Sequence, residues 1–235
     1  MKIDCMKLHS FVKKASLNGA IQAINMDFKE DGVHSRMMDA GNIALTDVFL
    51  SVSAFENYEA IGEIFIRDAL PFMKQLQTFI GEVDISTPEK YVFKIADATR
   101  TGYIMLGAEI VCDGVYRKEL PVISTSGEAT LEKSDLTRTF SDISLLKINK
   151  VLIELADDGL FMTVGQPGES DYFINKVVET VSGKGRTAVG SLFSNLFGSL
   201  DGKITFNIGD GLPLVVSEIT ETSRFVCVLA PMATD

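Results

Sequence analysis

Apolar residues fall at Leu8, Phe11, Val12 and Ala15, the i, i+3, i+4, i+7 spacing of one helix face, and Asn18-Gly19 stops the run. A short strand over 2–5 precedes this helix. Alternating runs over 20–28, 33–39, 43–51 and 59–66 predict strands. Asp68 can cap a second helix running to Ile80, because Pro71 lies in its first turn, where a missing N–H costs little. Gly81 ends it, and 82–87, 91–97 and 101–106 read as three more strands with turn residues between them.

The pattern then begins again. A short strand over 129–133 leads to Ser134, which can cap a helix carrying Leu136, Phe140 and Ile143 on one face. Strands follow over 150–156, 160–165 and 171–178. Val189, Leu192, Phe193, Leu196, Phe197 and Leu200 sit at 3.6-residue spacing and predict a helix over 188–200. Strands over 203–208, 212–219 and 223–230 complete the chain. Asp31-Gly32-Val33 is answered by Asp158-Gly159-Leu160, and Tyr103-Ile104 by Phe225-Val226. The halves share almost no residues, so the repeat is one of structure. The expected class is α+β, with two similar domains of two helices each on antiparallel sheets. The first spans 1–106 and the second 122–235, joined by an irregular connector over 107–121.

Composition narrows the chemistry. The 235 residues are 46% hydrophobic and 23% charged, which excludes disorder, and no apolar run approaches the roughly 20 residues of a membrane span. The start, MKIDCMKLHS, has no apolar core of a secretory signal. Cys5, Cys112 and Cys227 are far apart and odd in number, so neither a disulfide framework nor a cysteine-built metal site fits. The chain reads as a protein of a reducing, cytoplasmic compartment, with no metal and no cofactor.

No catalytic constellation stands out. His9 lies on the polar side of the first helix and His34 alternates within a strand. The run Ser182-Gly183-Lys184-Gly185-Arg186-Thr187 lacks the leading glycine and the Lys-Ser/Thr of a phosphate loop. Asp157-Asp158-Gly159 is a hairpin signal. The expectation is a protein that is not an enzyme.

Charge needs a closer look, because 22 basic against 32 acidic residues give −10. That balance argues against a wholly nucleic-acid-coated surface but allows cations confined to one face. At about 100° per residue, Lys7, Ser10, Lys13 and Lys14 fall opposite the apolar stripe of the first helix. Lys74 lies on the polar side of the second helix with Gln77 and Thr78, and Arg138 lies opposite the stripe of the third. Helix faces that favour lysine in an acidic protein suggest a surface turned to phosphate.

These residues also carry a resemblance. Asp31-Gly32-Val33, then Met37-Met38-Asp39-Ala40-Gly41-Asn42-Ile43-Ala44-Leu45, is similar to a segment of sliding clamps of the proliferating-cell-nuclear-antigen family. Leu212-Pro213-Leu214-Val215-Val216 and Val228-Leu229-Ala230-Pro231 resemble that family's closing motif. Glu119-Leu120-Pro121 is similar to the end of the connector in archaeal members, and Lys94-Ile95-Ala96-Asp97-Ala98-Thr99-Arg100 to clamps of tailed phages.

The resemblance implies a head-to-tail homotrimeric ring around double-stranded DNA, helices inside and sheet outside, without base reading. It implies a processivity factor in DNA replication that tethers a polymerase and is opened by a clamp loader. A non-ring, monomeric processivity subunit of the same fold is the alternative. Lys7, Lys13, Lys14, Lys74 and Arg138 would face DNA, with Lys184 and Arg186 compensating for a last helix that has no cation. The partner pocket would use Met38, Ile43, Ile110, Val111, Pro213, Val228, Leu229, Ala230 and Pro231. Tyr103 and Ile104 of one subunit would meet Phe173 and Ile174 of the next. Asn42 and Val228 stand where many relatives have histidine and tyrosine.

Overall fold

The computed structural model describes residues 1–168 and 171–232, and the chain divides into two compact units. The first comprises Met1–Gly41, Leu45–Lys118 and Thr220–Phe225; the second comprises Asn42–Ala44, Glu119–Ile219 and Val226–Asp235.

In the first unit β1 (Lys2–Asp4) runs straight into α1 (Cys5–Ala15). The Asp4 carboxylate accepts from the Met6 N–H at 2.7 Å, which caps the first turn. Leu8, Phe11, Val12 and Ala15 are all buried, so the predicted stripe is the packed face. Four strands follow: β2 (Ile24–Lys29), β3 (Gly32–Met38), β4 (Ala44–Ser51) and the short β5 (Phe55–Glu56). Then come β6 (Gly62–Ile66), α2 (Ala69–Leu76), β7 (Glu82–Glu89), β8 (Val92–Ala96) and β9 (Thr101–Met105). The strands make two antiparallel arrays, β5-β1-β7-β8-β9 and β4-β3-β2-β6. Helix α1 packs on α2, where the Cys5 thiol donates to the Leu76 carbonyl at 3.2 Å. α2 stops four residues short of Ile80, because the chain tightens: Thr78 and Phe79 donate to the carbonyls of Gln75 and Leu76, and Ile80 is left exposed. Asp68 stands at its N-terminus without a side-chain cap bond.

The second unit repeats the order. β10 (Gly127–Glu132) leads through a 3₁₀ turn into α3 (Thr137–Leu146). The cap there is a reciprocal pair, Glu132 with Asp135, rather than Ser134. β11 (Val151–Ala156), β12 (Gly159–Val164), β13 (Phe173–Val178), β14 (Val181–Gly183) and β15 (Gly185–Val189) follow. α4 (Leu192–Ser199), β16 (Lys203–Ile208), β17 (Leu214–Ile219) and β18 (Ser223–Leu229) close the chain. The arrays are β14-β10-β16-β17-β18 and β13-β12-β11-β15, the same topology strand for strand. Phe140 of α3 stacks on Phe197 and Phe193 of α4, with ring centroids 3.7 and 5.3 Å away.

The last helix is shorter than its periodicity predicts. Residues 185–189 form a strand paired to β11, with Gly185, Thr187, Ala188 and Val189 buried and Arg186 outward. Thr187 and Val189 are β-branched and suit a strand, and pairing with β11 takes Ala188 and Val189 out of the predicted helix.

Two glycines make the repeat legible. Gly32 has φ +145°, and a Cβ there would lie 2.2 Å from the Leu50 carbonyl oxygen; Gly159 has φ +147°, with the Val178 oxygen at 2.3 Å. A second shared feature is a backbone bond: Gly107 N–H donates to Phe65 in the first unit and Met232 N–H to Ala188 in the second, both at 2.8 Å.

Candidate functional site

The cations predicted on the helices divide on inspection. Lys7, Lys74 and Arg138 are exposed and Lys13 is half-buried. Lys14 is a correction: it is only 5% exposed, and its ammonium lies 6.0 Å from the Phe225 ring centroid. About 110° around α1 from the centre of the stripe, it flanks the apolar face rather than opposing it, and its long stem folds onto the protein. Lys184 and Arg186 do not sit beside a helix. Lys184 pairs with Asp157 at 2.6 Å, both just outside the strands, and Arg186 lies 4.0 Å from its cross-strand partner Glu154. The polar faces of α3 and α4 carry Thr137, Ser141, Ser144, Ser191 and Ser194, with Arg138 as the exposed cation on α3.

The connector is bound to the first unit, not loose. Gly114 accepts from Met38 N–H at 2.7 Å, and Tyr116 N–H donates to Arg36 at 2.9 Å, so this segment runs beside β3. Arg117 grips both oxygens of Glu63, at 2.8 and 2.9 Å, and reaches Glu109 at 3.2 Å. Those carboxylates raise its guanidinium pKa above the ordinary value, Glu63 most. Arg36 donates to the Lys118 carbonyl at 2.6 Å while its Nε holds the buried Asp47 at 2.7 Å. Arg224 takes the other Asp47 oxygen at 2.9 Å. Register foretells half of this cluster, because Arg36 stands opposite Asp47 in the β3–β4 pair. Nothing local foretells Arg224.

Beside that segment lies a cavity of about 550 Å³ lined by Ile21, Gln22, Met38, Arg67, Val111 and Asp113 among others. Met38 and Val111 therefore line one cavity. Ile110 is 87% exposed and lies outside the lining. In the second unit Ala230 N–H donates to Ile43 at 2.7 Å, which brings another two of these residues together. Pro213 and Val228 are half-buried and Pro231 is exposed. Leu229 is the second correction: it is 1% exposed, because Phe225, Cys227 and Leu229 alternate inward along β18 and leave Val226 and Val228 outward.

Among the described residues β9, with β8 as its neighbour, and β13, with β12, are two of the strands that end a sheet. These two edges are apolar: Tyr103 is 64% exposed, Met105 63% and Ile174 59%, with Tyr172 and Phe173 also exposed and Ile104 half-buried. An edge of that kind invites another strand. Among the described residues no group of His, Cys, Asp and Glu is arranged to hold a metal, and no helix is long and apolar enough to cross a membrane.

No protein-family profile matches the chain, and no curated protein sequence matches it. Solved structures do. The chain is similar to A. fulgidus PCNA, seen bound to the C-terminal region of FEN-1, with TM-score 0.82 and 15% identity over 100% of this chain and 98% of that one. It is similar to PCNA from Thermococcus kodakaraensis, with TM-score 0.81 and 14% identity over 98% and 99%. The PCNA2-PCNA3 complex from Sulfolobus tokodaii gives TM-score 0.78 and 15% identity over 99% of each chain. Over its whole length, then, this chain has the two-domain fold of the PCNA sliding clamps.

Proposed function

We propose that this chain is a sliding clamp: copies join head to tail into a ring of three around duplex DNA and tether a replicative polymerase, with no catalysis of their own. The observation that carries the reading is the pair of uncovered apolar edges, β9 in one unit and β13 in the other. Two different edges on one chain make a heterologous contact, which either closes into a ring or runs on as a fibre. The full-length likeness to ring-forming folds supports closure.

A closed ring holds DNA by topology, so its lining needs only modest positive charge. Lys7, Lys13, Lys74 and Arg138 supply it, touching phosphates without reading bases. Partner proteins, the polymerase and a loader among them, use the outward apolar residues of each unit: Met38, Ile110 and Val111 in the first, Ile43, Pro213, Val228, Ala230 and Pro231 in the second. The FEN-1 segment bound to the A. fulgidus protein supports a peptide as the kind of partner.

Light scattering at low micromolar concentration tests the reading, with three chain masses expected. A single chain mass with DNA affinity intact would favour a monomeric processivity subunit instead. Changing Val228 and Pro231 together to Glu should abolish binding of a polymerase-tail peptide in a calorimeter and leave the ring mass unchanged.

A further inference from the structure

Part of the connector takes a strand's place in the first unit. β2 pairs with β3 from Asp27 opposite His34 to Lys29 opposite Gly32. Further along, β3 keeps β4 on one side as far as Met38 opposite Leu45. On its other side the connector takes over. Tyr116 N–H donates to Arg36, Met38 N–H donates to Gly114, and Val115 stands opposite Met37. A ladder of three residues holds weakly by itself, because so short a strand has little pairing to share.

Side chains supply the rest. The Arg117 guanidinium takes both oxygens of Glu63 on β6, at 2.8 and 2.9 Å, and reaches Glu109 at 3.2 Å. Glu109 opens a 3₁₀ turn over Glu109–Val111, so one guanidinium joins the two ends of residues 109–117 to each other and to the sheet. Glu63 is aimed in turn from within. The Asn25 amide donates to it at 2.7 Å and accepts from the Ser35 hydroxyl at 3.2 Å. Asn25 is 4% exposed and Ser35 1%. Polar side chains at that depth are costly unless each is satisfied, and here each is. The row ends in a bidentate, charge-assisted pair, the strong and directional kind. β2, β3 and β6 already pair through their backbones, so what the row adds is a fixed seat for the connector.

That seat shapes the neighbouring cavity. Val111, Asp113 and Gly114 line it from the connector, Met38 and Arg67 line it from the body of the unit, and Arg117 lies outside the lining. We propose that Arg117 is a positioning residue for partner docking: by bridging Glu63 and Glu109 it keeps residues 109–117 seated, so that a peptide finds its cavity ready-made and binds without touching Arg117. This rests on the partner surface proposed above and adds the side chain that prepares it. Preorganisation acts through the fraction of molecules already in the binding shape. Its loss slows association and leaves the departure of a bound peptide unchanged.

Cys112 reports the seat directly, since it lies within the segment at 3% exposure while Cys5 and Cys227 are buried elsewhere in the chain. Arg117→Gln should raise the rate of Cys112 alkylation at neutral pH about tenfold, mapped by mass spectrometry, and leave the other two thiols protected. Glu63→Gln should do the same. Arg117→Lys keeps the charge without the two-pronged grip and should fall between. Unchanged labelling, or equal labelling of all three cysteines in every variant, overturns the proposal. The C-terminal region of FEN-1, which the A. fulgidus protein binds, serves as the peptide probe. Its association with Arg117→Gln should be about fivefold slower, with dissociation within about twofold of the unmodified chain. Faster dissociation at unchanged association would make Arg117 a peptide contact and overturn the positioning role alone. An unmodified chain that binds no such peptide overturns the partner surface itself.

Discussion

The two units share a strand-for-strand topology and differ in what they present to the outside. In the first, α1 and α2 turn Lys7, Lys13 and Lys74 outward, and the edge at β4 is held by a buried carboxylate between two guanidinium groups. In the second, the exposed faces of α3 and α4 are mostly hydroxyl, and the corresponding strand β13 ends in bare Phe173 and Ile174. Topology survives such divergence because it depends on a few alternating inward positions and two hairpin glycines. Surface chemistry is free to follow each unit's task.

The hairpin glycines give the sharpest test of that equivalence. Gly32→Ala and Gly159→Ala each force a side chain to a positive φ and against a carbonyl oxygen. Each should cost roughly 2–4 kcal/mol in chemical unfolding, by strain at a special backbone position. A large cost at one position and none at the other would break the structural repeat.

Next in size comes the ion cluster. Asp47→Ala leaves Arg36 and Arg224 facing each other, and both are partly exposed, so the loss should be about 1–2 kcal/mol. Ile174→Ala should leave monomer unfolding nearly untouched while weakening assembly. If instead it destabilises the isolated chain as much as Asp47→Ala does, β13 is a packed strand and not a free edge.

A smaller effect separates the helix faces. Lys74→Glu should lower DNA affinity on every sequence alike and reduce the salt slope by about one unit. Ser194→Lys, on the hydroxyl face, should raise both. Unchanged slopes in titrations across salt would make these residues ordinary solvated positions.

The smallest expected effect concerns the connector. Burial pushes the Cys112 thiol up to about 12, with Glu63 and Asp113 adding to it. The folded protein should therefore resist alkylation at Cys112 through pH 10, while the unfolded chain reacts. The sign for stability follows, since the unfolded thiol ionises from about pH 9. The protonated thiol's contribution is complete below that value and is lost as pH rises toward 12. Rapid labelling at neutral pH would mean that the connector opens readily.

The sequence by itself determined most elements, because hydrophobic period reports burial directly. The stripe of α1, the β2–β3 and β11–β12 hairpins and the order of the repeat all follow from it. The sequence resemblance likewise pointed to the clamp fold, which the solved structures share. Periodicity was insufficient where one pattern served two periods, as at Ala188 and Val189. There pairing with β11 made a strand of what was expected as the start of a helix, and drew Arg186, expected just before that helix, into the sheet.

Tertiary structure alone decided the fate of individual side chains. Lys14 is buried because its long stem covers apolar surface that a helical wheel does not represent. Leu229 is core because the inward phase of β18 is set by the strands beside it. Arg224 reaches Asp47 from 177 positions away, and Arg117 ties the connector to Glu63. Contacts between residues so distant in the chain leave no local periodicity, since the period of a segment reports its own exposure and not the identity of its neighbour.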